Sequence, residues 1–231
     1  MTYGELGRTS IDIIIKTRMI SFWNRLIMNN NKLSSILYRV MVSLSSTHQC
    51  NFKWINYIKS IFDNIGLSYI WANQLPYPPE VIKAFVKQKL TDEFIQSWFS
   101  QIEASSRGEF YGLFKTCFGL EKYLTKLSPN ERENITKLRC CNVKIPVEVE
   151  RWYGIPKEER ICTLCAKHKG TEFHYLFVCD FELVKIIREK HIKEYYYKNS
   201  SLMKMKGLLF YCNIKILKNL SMFIQKLSKL L

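Results

Sequence analysis

Apolar residues recur at helical steps along most of the chain. Ile11, Ile15, Met19, Phe22, Trp23 and Leu26 fall mainly three or four apart and predict a first helix. Thr9 or Ser10 offers its N-cap, Asp12 suits its first turn, and Asn29-Asn30-Asn31 ends it. Ser34 can cap a second helix through Leu37, Val40, Met41 and Leu44. A third carries Trp54, Ile55, Ile58, Phe62 and Ile65 on one stripe, with Gly66 at the C′ position. These aromatic stripes read as core.

Leu75-Pro-Tyr-Pro-Pro79 is the clearest break, because prolines at this density cannot continue a helix. A short helix follows to about Leu90. Thr91 or Asp92 then caps another, with Phe94, Ile95, Trp98, Phe99 and Ile102 on one face and Arg107-Gly108 closing it. Two short aromatic-rich helices joined at Gly119 come next. Ser128-Pro129 opens a helix to about Cys140, with Pro at its first position and Glu131 and Glu133 complementing the dipole. Val143 to Val149 alone has strand character, and Pro146 confines it to an edge or a connector. Two basic helices finish the chain. One spans about Phe181 to Tyr195. The other starts near Cys212, with Ile216, Leu220, Phe223, Leu227 and Leu230 on one side and Lys215, Lys218, Lys226 and Lys229 on the other.

The expected fold is therefore mainly α: a helical bundle, then a small zinc-knuckle-like module with one short strand pair, then basic C-terminal helices. The corresponding segments are 1–74, 80–141, 142–180 and 181–231.

Charge changes the picture. The chain of 231 residues carries a net +15. Residues 181–231 hold eleven Lys and Arg against Glu182, Glu189 and Glu194, a net +8, which is more than half the excess in under a quarter of the chain. A polyanion is the natural partner, with nucleic acid ranked before an anionic membrane surface. Eight cysteines suggest a disulfide scaffold, but Glu5 and Arg8 come early and no apolar signal-peptide core follows them. No apolar run has the length to cross a bilayer. A reducing compartment, nucleus or cytoplasm, is expected. There Cys50, Cys117, Cys140, Cys141 and Cys212 stay free and mostly buried.

The remaining three cysteines form the sharpest motif. Cys162 and Cys165, with two residues between them in one tight turn, are followed by His174 and then by Cys179 with four residues between it and the histidine. Three thiolates and one imidazole make a closed structural zinc set with no position for a catalytic water. His168 competes as the fourth ligand. His174 is preferred for its short spacing to Cys179 and its packing neighbours Phe173 and Tyr175. A hydrolytic site would need an open position and a carboxylate base such as Glu172. His48 and His191 have no nucleophile at an identifiable spacing and read as structural or surface residues. No glycine run forms a phosphate-cradling loop.

Several stretches together match a known family: Tyr3-Gly-Glu-Leu-Gly-Arg8, Ile20-Ser-Phe-Trp23, Phe94 with Trp98, Ser106-Arg107, and Leu138-Arg139. They continue with the run from Glu148 to Trp152, Glu159-Arg-Ile-Cys162 with Cys165, Glu172-Phe-His174 with Cys179, and the closing run from Asn213 to Ile224. Over nearly its whole length the chain resembles the C-terminal region of non-LTR retrotransposon polyproteins, the jockey-like RNA-directed DNA polymerases of animal genomes. The resemblance implies a nucleic-acid-binding zinc module downstream of the polymerase core, with ligands at Cys162, Cys165, His174 and Cys179. Catalysis is not implied. A polymerase needs paired aspartates for two divalent ions, and the sequence has no Asp-Asp pair. The lead-in before Tyr3 leaves no room for the family's endonuclease, so the resemblance implies a fragment: a truncated copy, a split reading frame, or a piece retained by the host.

The expected chain is non-catalytic, with one structural zinc, RNA or DNA as partner and no small-molecule substrate. Arg160, Lys167 and Lys169 on the loop, and Arg188, Lys190 and Lys193 on the following helix, are the expected phosphate contacts. Tyr195, Tyr196 and Tyr197 either stack on unpaired bases or form an ordinary helix end. A helical protein–protein scaffold, or a membrane-surface protein using residues 213–231, remains open.

Overall fold

The computed structural model describes residues 1–29, 32–47, 50–210 and 213–231. Asn30 and Asn31 at the expected helix end, His48, and Cys212 at the expected helix start lie outside them. The helices run in the order α1 (Thr2–Leu6), α2 (Ile11–Met28), α3 (Leu33–Ser46), α4 (Lys53–Asn64), α5 (Ser68–Asn73), α6 (Pro79–Glu103) and α7 (Gly108–Gly112). Then come α8 (Tyr123–Lys126), α9 (Pro129–Arg139), α10 (Pro146–Val149), α11 (Glu182–His191), α12 (Glu194–Tyr197), α13 (Leu202–Phe210) and α14 (Ile214–Leu227). Short 3-10 turns at Glu150–Tyr153 and Lys157–Glu159 and a widened turn at His174–Val178 lie between α10 and α11. The described residues are mainly α-helical. They contain two isolated antiparallel bridges, Leu6 with Leu120 and Ile161 with Lys169.

The chain divides into two compact units with their boundary inside α6: Thr9–Phe99, and Met1–Arg8 together with Ser100–Leu231. The proline-rich stretch lies inside the unit Thr9–Phe99. Asn24 fastens it within the first of these units, donating to the Tyr77 carbonyl at 2.8 Å and accepting from the Tyr77 amide at 3.0 Å.

In the unit Thr9–Phe99, α4 and its C-cap bury Ile55, Ile58, Phe62 and Ile65 of the expected stripe, joined by Ile61, and leave Trp54 half-buried. Gly66 ends it at φ 71°, and the Leu67 amide reaches back to the Phe62 carbonyl at 2.8 Å, the six-to-one bond of a Schellman stop. The first two faces are turned from those expected. Helix α2 buries Ile13, Thr17, Ile20, Trp23 and Leu26, while Ile11, Ile15 and Phe22 are exposed. That helix is apolar nearly all round, so periodicity does not select its buried side. Helix α3 starts at Leu33 with Ser34 inside it, buries Tyr38, and exposes Leu37 and Val40. The reason is polar: the Tyr38 hydroxyl accepts from the Trp23 indole at 2.8 Å and donates to Gln74 at 2.5 Å. Helix α6 is continuous where two helices were expected, and inside it the Thr91 hydroxyl bonds the Lys87 carbonyl at 2.7 Å and caps nothing.

In the other unit, α9 begins as expected, with the Ser128 amide donating to Glu131 at 2.9 Å in a capping box. It packs along α14, which buries Leu217, Leu220, Phe223 and Leu227. A buried ion network ties the N-terminal segment into this core. Arg139 donates to both oxygens of Glu5 at 2.9 and 3.1 Å, to Glu121 at 3.0 Å and to the Leu209 carbonyl at 2.7 Å. Tyr123 also donates to Glu5, at 2.7 Å. Gly108 is required by contact: a Cβ there would sit 1.6 Å from the Ile102 carbonyl oxygen. Of the two forms expected for Val143–Val149, an edge strand or a connector, the chain takes the connector, and it runs into one unforeseen helical turn because Pro146 takes the first helical position. The long basic helix expected from Phe181 breaks at extended Ile192 into α11 and α12, and α13 follows unforeseen.

Candidate metal centre

The site is built on a hairpin and a widened helical turn. The hairpin closes through the Cys162 amide to the His168 carbonyl and the Gly170 amide to the Arg160 carbonyl, both at 2.8 Å. At its tip the Ala166 amide reaches the Cys162 carbonyl at 2.9 Å, which puts Ala166 in the left-handed region at φ 54°. Gly170 lies against the Pro146 ring, where a Cβ would come within 2.7 Å, and its carbonyl accepts from the Val147 amide at 3.2 Å. Arg160 clips the preceding segment to the same hairpin, donating to the Ile155 carbonyl at 2.9 Å and the Val147 carbonyl at 2.8 Å.

Thr171 caps the second half, its hydroxyl accepting from the His174 amide at 3.2 Å. In a regular α-helix, His174 and Cys179 would point roughly 140° apart. The turn His174–Val178 is π-helical instead: the Cys179 amide bonds the His174 carbonyl at 2.8 Å, five residues back. The widening lets both side chains face the hairpin. Arg188, from α11, holds this turn. Its buried guanidinium donates to the carbonyls of Leu176 (2.9 Å), Tyr175 (3.3 Å) and Cys179 (2.8 Å).

The ligand atoms of Cys162, Cys165, His174 and Cys179 all lie within 4.8 Å of one another and can hold a metal ion. Cys162 and Cys179 place their sulfurs 3.9 Å apart, and Cys165 Sγ is 3.4 Å from His174 Nε2. Cys162, His174 and Cys179 are buried and Cys165 is half-buried. His168 is exposed and outside the set.

The electrostatics suit a cation. Burial pushes the Cys162 thiol up, but the nearby Tyr175 hydroxyl and the amides of Cys165 and Leu164 outweigh it and hold the thiol below its ordinary value. Burial, helped by the charge of Cys162, pushes Cys179 up to about 12, so without a cation these sulfurs resist ionising together. Burial, then His168 and Arg188, lowers His174 to about 4 and leaves its imidazole neutral, the form that ligates.

Of the expected phosphate contacts, Lys167, Lys169, Lys190 and Lys193 are exposed. Lys167 pairs with Asp180 at 2.5 Å and Lys169 approaches Glu158 at 3.8 Å. Arg160 is half-buried and spends two donors on backbone. Arg188 differs from expectation, being buried and committed to three carbonyls. Tyr195 is exposed with Lys204 4.8 Å from its ring centre, while Tyr196 is buried. The free thiols also differ, since Cys50 and Cys117 are exposed and only Cys141 of the described ones is fully buried. Glu172 turns away from the four ligands to Cys141 and Glu148, and burial lifts its carboxyl to about 7. The capping role of Thr171 and the clamp of Arg188 carried no signal in the sequence, where one is a lone threonine and the other is one basic residue among eleven. Comparison of the chain with protein-family models, with curated proteins and with solved structures finds no match.

Proposed function

We propose that the chain is a non-catalytic nucleic-acid-binding module organised by one structural zinc, as its resemblance to the C-terminal part of retrotransposon reverse transcriptase polyproteins implies. The observation that carries the zinc reading is the ligand spacing. A tetrahedral zinc with bonds of ~2.3 Å to sulfur and ~2.0 Å to nitrogen separates two sulfurs by about 3.8 Å and a sulfur from a nitrogen by about 3.5 Å. The corresponding distances here are 3.9 and 3.4 Å. Three thiolates select zinc over hard cations, and four protein ligands leave no open position.

The ion fixes a hairpin bearing Lys167 and Lys169 beside a helix bearing Lys190 and, just beyond it, Lys193. The carboxylate pairs of Lys167 and Lys169 are exposed and worth little, so phosphates can displace them. The membrane-surface alternative is disfavoured by α14, which buries Leu217, Leu220, Phe223 and Leu227 within its own unit. No helix among the described residues is long and apolar enough to cross a membrane.

The test is oligonucleotide affinity as a function of salt. A phosphate-binding module loses affinity steeply, by orders of magnitude for roughly six or more contacts. A protein scaffold binds no RNA or DNA even in dilute buffer. Reading the natural transcript upstream of Met1 bears on the polyprotein origin separately: a polymerase frame running into Met1 supports it.

A further inference from the structure

Trp152 and Tyr153 lie on the 3-10 turn Glu150–Tyr153 and are 75% and 77% exposed. Among the five tryptophans this exposure is singular: Trp23 and Trp98 are buried, and Trp54 and Trp71 are half-buried. A tryptophan left in water forgoes one of the largest burial gains a side chain offers. This one is also set in charge. The guanidiniums of Arg107 and Arg151 lie 5.5 and 5.4 Å from its ring centre. Glu148 pairs with both, at 3.1 and 3.4 Å, and so orients them.

The turn is held firmly. Gly154, at φ 72°, reverses the chain after Tyr153, and the Ile155 amide bonds the Glu150 carbonyl at 3.2 Å. Arg160 of the metal hairpin grips the backbone on both sides of it, at Val147 and Ile155. A largely exposed aromatic ring on a rigid turn, with two guanidiniums over it and the rest of its surface open, matches a nucleobase and the phosphate attached to it. The base must be unpaired, because bases inside a duplex already have both faces stacked. Trp152 is open rather than enclosed, so a free nucleotide would gain a single stacking contact. A polymer adds further phosphate contacts.

We propose that Trp152, flanked by Arg107 and Arg151, is the stacking platform for an unpaired base of a single-stranded polynucleotide, with the two arginines facing its phosphate. This rests on the nucleic-acid reading above and names where the bases go. The experiment titrates the full chain with short oligouridylate, oligothymidylate and a duplex of equal length, following tryptophan fluorescence and anisotropy. Trp152→Ala is expected to weaken the single strands about tenfold, within a range of roughly 5- to 150-fold for loss of one stacked base. Trp152→Phe should recover most of that loss. Duplex affinity and the salt slope should stay within about twofold of wild type, since no phosphate contact is removed. The two single strands show whether ribose or deoxyribose is preferred. Zinc content and circular dichroism confirm that the variants are folded, as expected for an exposed side chain. Single-strand affinity unchanged in Trp152→Ala, or an equal loss on duplex, overturns the platform and leaves the nucleic-acid reading standing. A wild-type chain that binds no oligonucleotide overturns both.

Discussion

Arg188 separates two accounts of one residue, and its replacement gives the sharpest mutational test. Its guanidinium is buried and donates to three carbonyls of the widened turn that carries His174 and Cys179. Two of these bonds, at 2.9 and 2.8 Å, are well formed, and each contributes ~1.5–3 kcal/mol as a charged hydrogen bond. The third, at 3.3 Å, adds less. Removing the side chain also relieves the several kcal/mol spent in burying a cation, so the net loss for Arg188→Met should be about 2–4 kcal/mol. At about 3 °C per kcal/mol for a chain of this size, that is a fall of roughly 6–12 °C in Tm with zinc present. Because the clamp sets the turn that presents two ligands, zinc affinity should also fall about 10- to 100-fold, read by competition with a chromophoric chelator. Arg188→Lys keeps the charge but not the planar fork, and should lose nearly as much. A Tm within about 1 °C of wild type together with weakened oligonucleotide binding would refute the clamp and restore Arg188 as a phosphate contact.

Other replacements probe other parts of the fold. Arg139→Met leaves Glu5 buried without its cation and should cost about 3–5 kcal/mol, while adding Glu5→Gln should recover much of it, in a double-mutant cycle followed by urea unfolding. Ala166→Gly relieves a left-handed residue at φ 54° and should stabilise the metal-bound state by about 0.5–1 kcal/mol in thermal melts. Gly108→Ala forces a methyl group into the Ile102 carbonyl and should destabilise by at least about 3 kcal/mol, seen as lost solubility or a lowered Tm. Burial, then Lys226 and Lys190, holds His191 below its ordinary value. The unfolded chain therefore binds the extra proton, and stability falls as pH drops below about 6.5. His191→Leu should flatten that part of the Tm–pH curve relative to wild type at saturating zinc.

How much of this was legible along the chain depended on whether the signal was local. The ligand set was legible because Cys162, Cys165, His174 and Cys179 are close in sequence and chemically distinctive. The route by which they meet was not: five-residue spacing on a regular helix would send His174 and Cys179 apart, and only the widened turn joins them. The stop at Gly66 and the start at Ser128-Pro129 were readable because capping is a property of a few neighbouring residues. The buried face of α2 was not, since apolar residues surround that helix and the choice is made by Trp23, Tyr38 and Gln74 meeting across long separations. Charge misled at Arg188 for a related reason. Composition counts a guanidinium as positive surface whether it faces water or three carbonyls.

The central claim is that a metal ion draws the hairpin and the turn into one fixed module, and elemental analysis of the purified chain tests it most directly. Protein prepared under reducing conditions should carry close to one zinc per chain, and Cys165→Ser, His174→Ala and a strong chelator should each remove it and unfold residues 160–180. Protein that purifies without bound metal, or zinc content unchanged in both variants, would contradict the account.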